Sequence, residues 1–166
     1  MASSSTGFPE VRVRFTVETS SGVFVDEPEA ADLTLPVPTY RRVRGQVRIR
    51  SGKSPVVQPE DELVPLVMNL CFRAVVELRE SEHVSVNYTD TYGLLRLDRE
   101  GATTRISGDQ VPDIRVETAS LLPGLVECGA RFRAWLPGLS LDGDVDGIVD
   151  RLRAEEDLAR AALTDR

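Results

Sequence analysis

The strongest constraint on the fold of this chain is a change of hydrophobic period near residue 60. In "VRVRFTVE", residues 11–18, apolar and polar side chains alternate, and "RRVRGQVRIR", residues 41–50, alternates in the same way. A period of two is typical of a strand with one buried face and one wet face. The sequence therefore predicts two strands whose wet faces carry arginine, the second with Gly45 as a bulge.

From about Glu60 the apolar residues recur at helical spacing and predict a helix that ends near Leu78. After it, "HVSVNY", "LLRL" and "TTRIS" alternate again between turn formers, which indicates an antiparallel meander. Two more helices follow, one through Leu125 and Phe132 and a last one over residues 145–163, capped by Asp144 or Asp146. The chain thus begins with strands and ends with helices.

This order predicts an α+β fold with a mainly antiparallel sheet of about five or six strands and three helices packed on one face. The length of 166 residues suits one domain. We assign residues 1–9 to a flexible N-terminus and residues 10–166 to a single α+β domain. The expected core consists of Val13, Phe15, Val47, Ile49, Leu66, Leu70, Val75, Val86, Leu97, Ile106, Leu125, Phe132, Trp135 and Ile148.

Composition excludes several classes of protein. A hydrophobic content of 41% is too high for a disordered chain, and no apolar run approaches the length of a membrane span. The net charge of −7 disfavours general nucleic-acid binding because it repels a phosphate backbone. Two cysteines and no recognisable signal peptide favour the cytoplasm, and arginine-rich basic residues, with Lys53 the single lysine, suit a bacterial source.

Both cysteines lie on apolar helical stripes. Cys71 has Val67 and Ala74 as stripe neighbours, and Cys128 has Leu125 and Phe132. An unpaired cysteine in such a position behaves as a small buried hydrophobe, whereas a reactive thiol needs exposure and a nearby base or cation. The sequence therefore predicts two core thiols.

The arginines at alternate positions form the main candidate binding surface. If the two arginine-bearing strands pair, their guanidinium groups collect on one sheet face and suit carboxylates or phosphates. The alternative is a solvated face neutralised by Glu10, Glu18 and the acidic segment 26–32. The candidate residues are Arg12, Arg14, Arg42, Arg44, Arg48 and Arg50.

A second candidate is the turn "NYTDTYG", residues 87–93, which brings Tyr88, Asp90 and Tyr92 together in sequence. Aromatic and hydrogen-bonding groups of this kind occur at interfaces, although turn chemistry also explains the Thr, Asp and Gly. With His83, these residues would serve a pocket between sheet and helices.

The segment "DGDVDGIVDRLR", residues 142–153, resembles the opening of an EF-hand calcium loop through Asp142, Asp144, Asp146 and Gly147. The resemblance implies carboxylates that converge on a hard cation. The twelfth position, however, is Arg153 where the loop needs a bidentate glutamate. We therefore interpret these aspartates as the acidic cap of the last helix and predict no metal site.

For function, these patterns favour a non-catalytic bacterial protein of the cytoplasm that binds another protein, as an immunity-type or accessory protein does. We assign no catalytic residues and no cofactor, because no motif supplies a nucleophile with its base. The alternative is a small-molecule binding domain or an enzyme with a pocket between sheet and helices, and a DNA-associated regulator ranks below both. The alanine and leucine stripe of the last helix leaves a homodimer open.

Overall fold

A computed structural model describes residues 7–30, 33–36 and 39–165 of the chain. The predicted α+β class and the antiparallel strand pairing are confirmed. Eight strands form: β1 Val11–Glu18, β2 Phe24–Asp26, β3 Arg44–Ser51, β4 Glu60–Glu62, β5 His83–Asn87, β6 Leu94–Glu100, β7 Thr103–Gly108 and β8 Ile114–Glu117. The α-helices are α1 Leu63–Leu66, α2 Ala74–Glu80, α3 Thr118–Trp135 and α4 Val145–Thr164, and a π-helical segment, Val67–Arg73, joins α1 to α2 without a break.

The strands form two sheets of four, where the sequence predicted one sheet of about five or six. The first sheet has the order β2-β1-β3-β4 and the second the order β5-β6-β7-β8, and every pairing is antiparallel. The reason is the continuous helical run between β4 and β5, which separates the two groups of strands along the chain. Antiparallel neighbours can be joined by short turns, so each group pairs within itself.

Helices cover one face of each sheet. The α3 helix packs on β1 and also touches β7 and β8, whereas α2 packs on β5 and β6. The α4 helix lies further out, against α2, α3 and the π-helical segment. Buried side chains from both sheets and all these helices form one hydrophobic cluster. The helices therefore pack against two sheets, whereas the sequence predicted three helices on one face of a single sheet.

The predicted core residues are buried, with one exception. Trp135 is half-buried near the end of α3, where its ring contacts Phe15 and Phe132 and its indole Nε1 donates to the carbonyl of Pro28 at 2.6 Å. A tryptophan at the edge of a core commonly keeps its N–H on such a polar partner. The assignment of residues 1–9 to a flexible terminus falls mostly outside the described residues.

Gly45 does not form the predicted bulge. It pairs with Val17 in regular register, next to the pair of Thr16 with Gln46. A Cβ at this position would lie 1.8 Å from the carbonyl oxygen of Thr16 and 2.9 Å from a methyl carbon of Leu63. Glycine is required here by close packing, and periodicity alone does not distinguish that need from a bulge.

Both cysteines are fully buried and unpaired, as predicted. The Cys71 thiol interacts with Cys128, and this hydrogen bond, together with burial, raises the pKa of Cys71 well above its ordinary value. Cys71 lies in the π-helical segment and Cys128 in α3, so the contact joins two helices at the centre of the molecule.

Among the described residues, no helix has both the length and the apolar character needed to cross a membrane.

Candidate functional site

The candidate site is built on the outer face of the β1–β3 pair. Val13 and Ile49 point into the core, so the residues that alternate with them point outward. The antiparallel register places Arg12 directly opposite Arg50 and Arg14 directly opposite Arg48. We call these four residues the arginine patch. With Asp26 and Val56 they line a shallow depression of about 240 Å³.

The arginine patch is only partly neutralised. An Arg14 nitrogen, Nη1, lies 3.4 Å from an Asp26 oxygen, and Arg12 Nε lies 3.8 Å from a Glu10 oxygen. All four side chains in these two pairs are well exposed, so water screens both contacts strongly. Arg48 and Arg50 form no ion pair within the part of the chain that the structure describes. The patch therefore keeps a surplus of positive charge and free N–H donors.

Arg44 lies on the same sheet face but has a structural role. Its Nε is 3.4 Å from a Glu18 oxygen and its Nη2 is 3.0 Å from a Glu60 oxygen, and it also pairs with Asp90. Asp90 belongs to the loop between β5 and β6, so this guanidinium connects the two sheets. Three carboxylates around one guanidinium leave it without free charge for a partner.

Arg42, the last of the six predicted arginines, is not on a strand. It ends a short 3₁₀ helix, Tyr40–Arg42, that precedes β3, and its side chain lines a separate depression with Leu35 and Pro36. The structure thus brings four of the six predicted arginines together. Strand alternation identified those four, whereas the ion pairs of Arg44 and the helical turn at Arg42 depend on contacts distant in sequence.

The residues of the "NYTDTYG" turn do not converge on one site. Tyr88 is buried, its hydroxyl donates to the carbonyl of Asp109 at 2.7 Å, and burial raises its pKa to about 12. Tyr92 is fully exposed, and Asp90 forms an ion pair with Arg44. His83 lies exposed at the start of β5, with its Nδ1 2.8 Å from an Asp98 oxygen. These four side chains have separate surroundings.

Asp61 holds this turn in place, and sequence analysis did not identify it. Its carboxylate is buried and accepts the Thr89 backbone N–H at 2.8 Å, the Thr89 hydroxyl at 2.7 Å and the Asp90 N–H at 3.3 Å. It also accepts the backbone N–H of Glu62 at 2.8 Å. In the sequence, Asp61 stands between two other acidic residues, and nothing local marks it as the buried one.

One of the aspartates that resemble a calcium loop, Asp144, caps the last helix. Its side chain accepts the backbone N–H of Gly147 at 3.0 Å at the start of α4, so Asp144, and not Asp146, is the N-cap of the two that the sequence predicted. The Asp142 carbonyl accepts the N–H of Tyr40 at 3.3 Å. Within the described residues no group of three or more acidic, cysteine or histidine side chains is arranged to hold a metal ion.

Comparison with known proteins adds no relative from which a function could be transferred. No family model, no curated protein and no solved structure gives a significant match to this chain. Among the described residues, the arginine patch is the arrangement with the clearest binding chemistry. Guanidinium groups at the two-residue spacing of a strand suit bidentate hydrogen bonds to carboxylates or other oxyanions.

Proposed function

We propose that this is a non-catalytic binding protein that recognises an acidic segment of another protein through the arginine patch, as an immunity-type or accessory protein of the bacterial cytoplasm would. The observation that carries the proposal is the register that places Arg12 opposite Arg50 and Arg14 opposite Arg48, where Arg48 and Arg50 have no ion pair among the described residues. Like charges placed directly opposite each other on a sheet destabilise it, by about 0.2–1 kcal/mol a pair. Carboxylates supplied by a partner would reverse that repulsion.

The distribution of charge on this sheet face favours a short acidic segment over a long polyanion. Glu18 and Glu60 surround Arg44 at one end of the face, and the arginine patch occupies the other. The separation between Arg14 and Glu18 corresponds to about 13 Å along a strand. A nucleic-acid duplex that extended past the patch would meet these carboxylates and a protein of net charge −7.

The spacing within the arginine patch also indicates how the acidic residues of the partner should be spaced. Arg12 and Arg14 are about 7 Å apart along β1, as are successive same-face residues of any strand. A partner segment with acidic residues at alternate positions in an extended conformation would place one carboxylate near each arginine pair. The segment could equally present two acidic residues one helical turn apart, at about 6 Å.

The test compares Arg48→Glu/Arg50→Glu with the control Arg96→Glu/Arg153→Glu, which changes the net charge equally at two exposed sites elsewhere. Arg44 is left intact because its ion pairs connect the sheets. Quantitative mass spectrometry of proteins captured from the native lysate would identify candidates. Direct titration would then use an alternating Glu-Thr peptide and, as a comparison, a short DNA duplex.

The proposal predicts that one captured protein is lost with the patch variant and kept with the control. It also predicts that the acidic peptide binds the wild-type protein at least about tenfold more tightly than it binds the patch variant, since two charge-assisted contacts are reversed. Capture profiles that are the same for both variants would contradict the proposal. So would tighter binding of the duplex than of the peptide.

A further inference from the structure

A groove on another side of the molecule has aliphatic walls and a charged rim. It lies between the start of the long helical run, the first two turns of α4 and the 3₁₀ helix before β3, and its volume is about 290 Å³. Val64, Pro65, Met68 and Ile148 form its walls. We call it the helix groove. Its residues are not those of the arginine patch, so a ligand bound here would be independent of the proposed function.

The walls of the helix groove expose part of the core. Val64 is 8% exposed, and Met68 and Ile148 are each 7% exposed, whereas most core side chains nearby are completely buried. No aromatic side chain lines the groove among the described residues, which leaves no platform on which a planar ring could stack. Methionine adapts its shape readily to an apolar ligand. The walls therefore suit a flexible hydrocarbon chain.

The rim determines the charge of the ligand. Arg41 and Arg151 line the groove, both are exposed, and neither forms an ion pair with another described residue. Thr89 also lines the groove, but its N–H and its hydroxyl both donate to Asp61. The side-chain donors left for a ligand are thus two guanidinium groups, and these require an acceptor with negative charge.

Glu62 is the one acidic side chain in the lining formed by described residues, and it forms no ion pair with any of them either. Its charge leaves a net rim charge of about +1, which balances one carboxylate. A second carboxylate on the ligand would be repelled by Glu62 or would have to enter the aliphatic part of the groove without a partner. The rim therefore distinguishes a monocarboxylate from a dicarboxylate.

The backbone beside the groove has an unusual conformation. Met68 lies in the π-helical segment Val67–Arg73, in which the N–H of Ala74 bonds to the carbonyl of Asn69, five residues earlier. Helical segments of this type are rare and occur frequently at functional sites, because the wider turn moves side chains out of the ordinary helical positions. Here the segment supplies one wall of the helix groove and the Cys71 contact behind it.

We infer that the helix groove binds an aliphatic monocarboxylate, with its chain against Val64, Met68 and Ile148 and its carboxylate between Arg41 and Arg151. The volume of about 290 Å³ lies just below the usual range for ligand sites, about 300–1,000 Å³, so a short hydrocarbon chain fits better than a long one. Octanoate is the probe we would use.

The experiment is a titration of the full chain, followed by amide NMR, with octanoate and three matched probes: octylammonium, 1-octanol and the dicarboxylate suberate. The variants are Arg151→Glu on the rim, Met68→Trp to fill the groove without a change of charge, and Arg153→Glu as a control from the same helix. Hexanoate, which is two methylenes shorter than octanoate, tests the contribution of the hydrocarbon chain of the ligand. Each buried methylene contributes about a factor of three to four in affinity.

We expect octanoate to shift the amides of residues 64, 68 and 148 in a saturable way, and each matched probe to bind at least about tenfold more weakly. Arg151→Glu and Met68→Trp should both abolish the shifts, whereas Arg153→Glu should keep them. Equal binding of octanoate and octanol would overturn the assignment of a carboxylate. Absence of shifts at millimolar octanoate, or shifts confined to the arginine patch, would overturn the site itself. If Met68→Trp does not fold, the effect of Arg151→Glu on octanoate binding still tests the site.

Discussion

Arg14 of β1 and Arg48 of β3 stand directly opposite each other on the outer face of the first sheet. Arg14 has Asp26 as an exposed partner at 3.4 Å, and Arg48 has no ion pair within the described residues. An arrangement that costs stability in the isolated protein is typical of a surface that binds a partner of opposite charge. The cost can be measured by reversing one of the two charges.

Arg48→Glu should stabilise the isolated protein while it weakens partner binding. Replacing a repulsive cross-strand pair with an attractive one is worth about 0.5 kcal/mol in the free energy of unfolding. Urea denaturation at low salt measures the change, and added salt should reduce it. Arg96→Glu, on the exposed face of β6, is the control. A loss of stability in Arg48→Glu would show that Arg48 has a structural role.

Asp61→Ala should be among the most destabilising changes of a polar residue in this protein. It leaves the N–H groups of Thr89 and Asp90 and the Thr89 hydroxyl without their buried acceptor, at a cost of about 3 kcal/mol. Urea denaturation again gives the value, with Asp113→Ala as the control. Asp113 pairs with Arg105 at an exposed site, so its loss should change stability much less. Similar values for the two variants would contradict the anchoring role of Asp61.

Glu156 should contribute to acid sensitivity. Burial by itself would raise the pKa of this carboxyl, but hydrogen bonds from Arg133 and Arg160 outweigh burial and lower it. A lowered folded-state pKa means that the contribution to stability is present above the unfolded value, near 4.5, and is lost as the pH falls through the folded value. Glu156→Gln should therefore reduce stability by about 2 kcal/mol at pH 7, and by progressively less as the pH falls below 4.5 and through the lowered pKa of Glu156.

Thermal or urea unfolding across this pH range checks the Glu156 prediction. Glu127→Gln is a suitable control, because Glu127 pairs with the same Arg160 at 2.8 Å but is 57% exposed. Its effect should be below about 1 kcal/mol at every pH. A Glu156→Gln effect that did not depend on pH would mean that packing, and not charge, gives the residue its importance.

The two thiols should be unreactive in the folded protein. The contact with Cys128 and burial raise the pKa of Cys71, so little thiolate exists at pH 8 and a reagent cannot reach it. Dithionitrobenzoate should label both cysteines only at the rate of unfolding, and urea should accelerate the reaction at both sites together. Because a raised folded-state pKa favours the neutral thiol, the contribution of Cys71 to stability should fall as the pH rises above about 9.

A Cys71→Ala variant completes that test. It should retain slow labelling of Cys128 and lose the part of the alkaline destabilisation that belongs to Cys71. Stoichiometric labelling of the native protein within minutes would contradict burial of the pair.

Much of the local structure follows directly from the sequence. Alternation of Val13 and Phe15 with Arg12 and Arg14 predicts β1 and its wet face, and Asp144 predicts the start of α4. The helical stripe around Cys71 likewise predicts a buried thiol. These features depend on side chains a few residues apart, so the local pattern of apolar, polar and capping residues is enough to predict them.

Long-range contacts set the remaining features. The burial of Asp61 depends on donors from Thr89 and Asp90, and the link between the two sheets depends on the ion pair of Arg44 with Asp90, all of them distant along the chain. Arg44 and Arg48 look equivalent in sequence, yet one is surrounded by carboxylates and the other faces a like charge. Alternation along each strand is enough to say which residues point outward. Which of them meet depends on the folded chain, because strand register and loop packing set the distances on which electrostatic and hydrogen-bond energies depend.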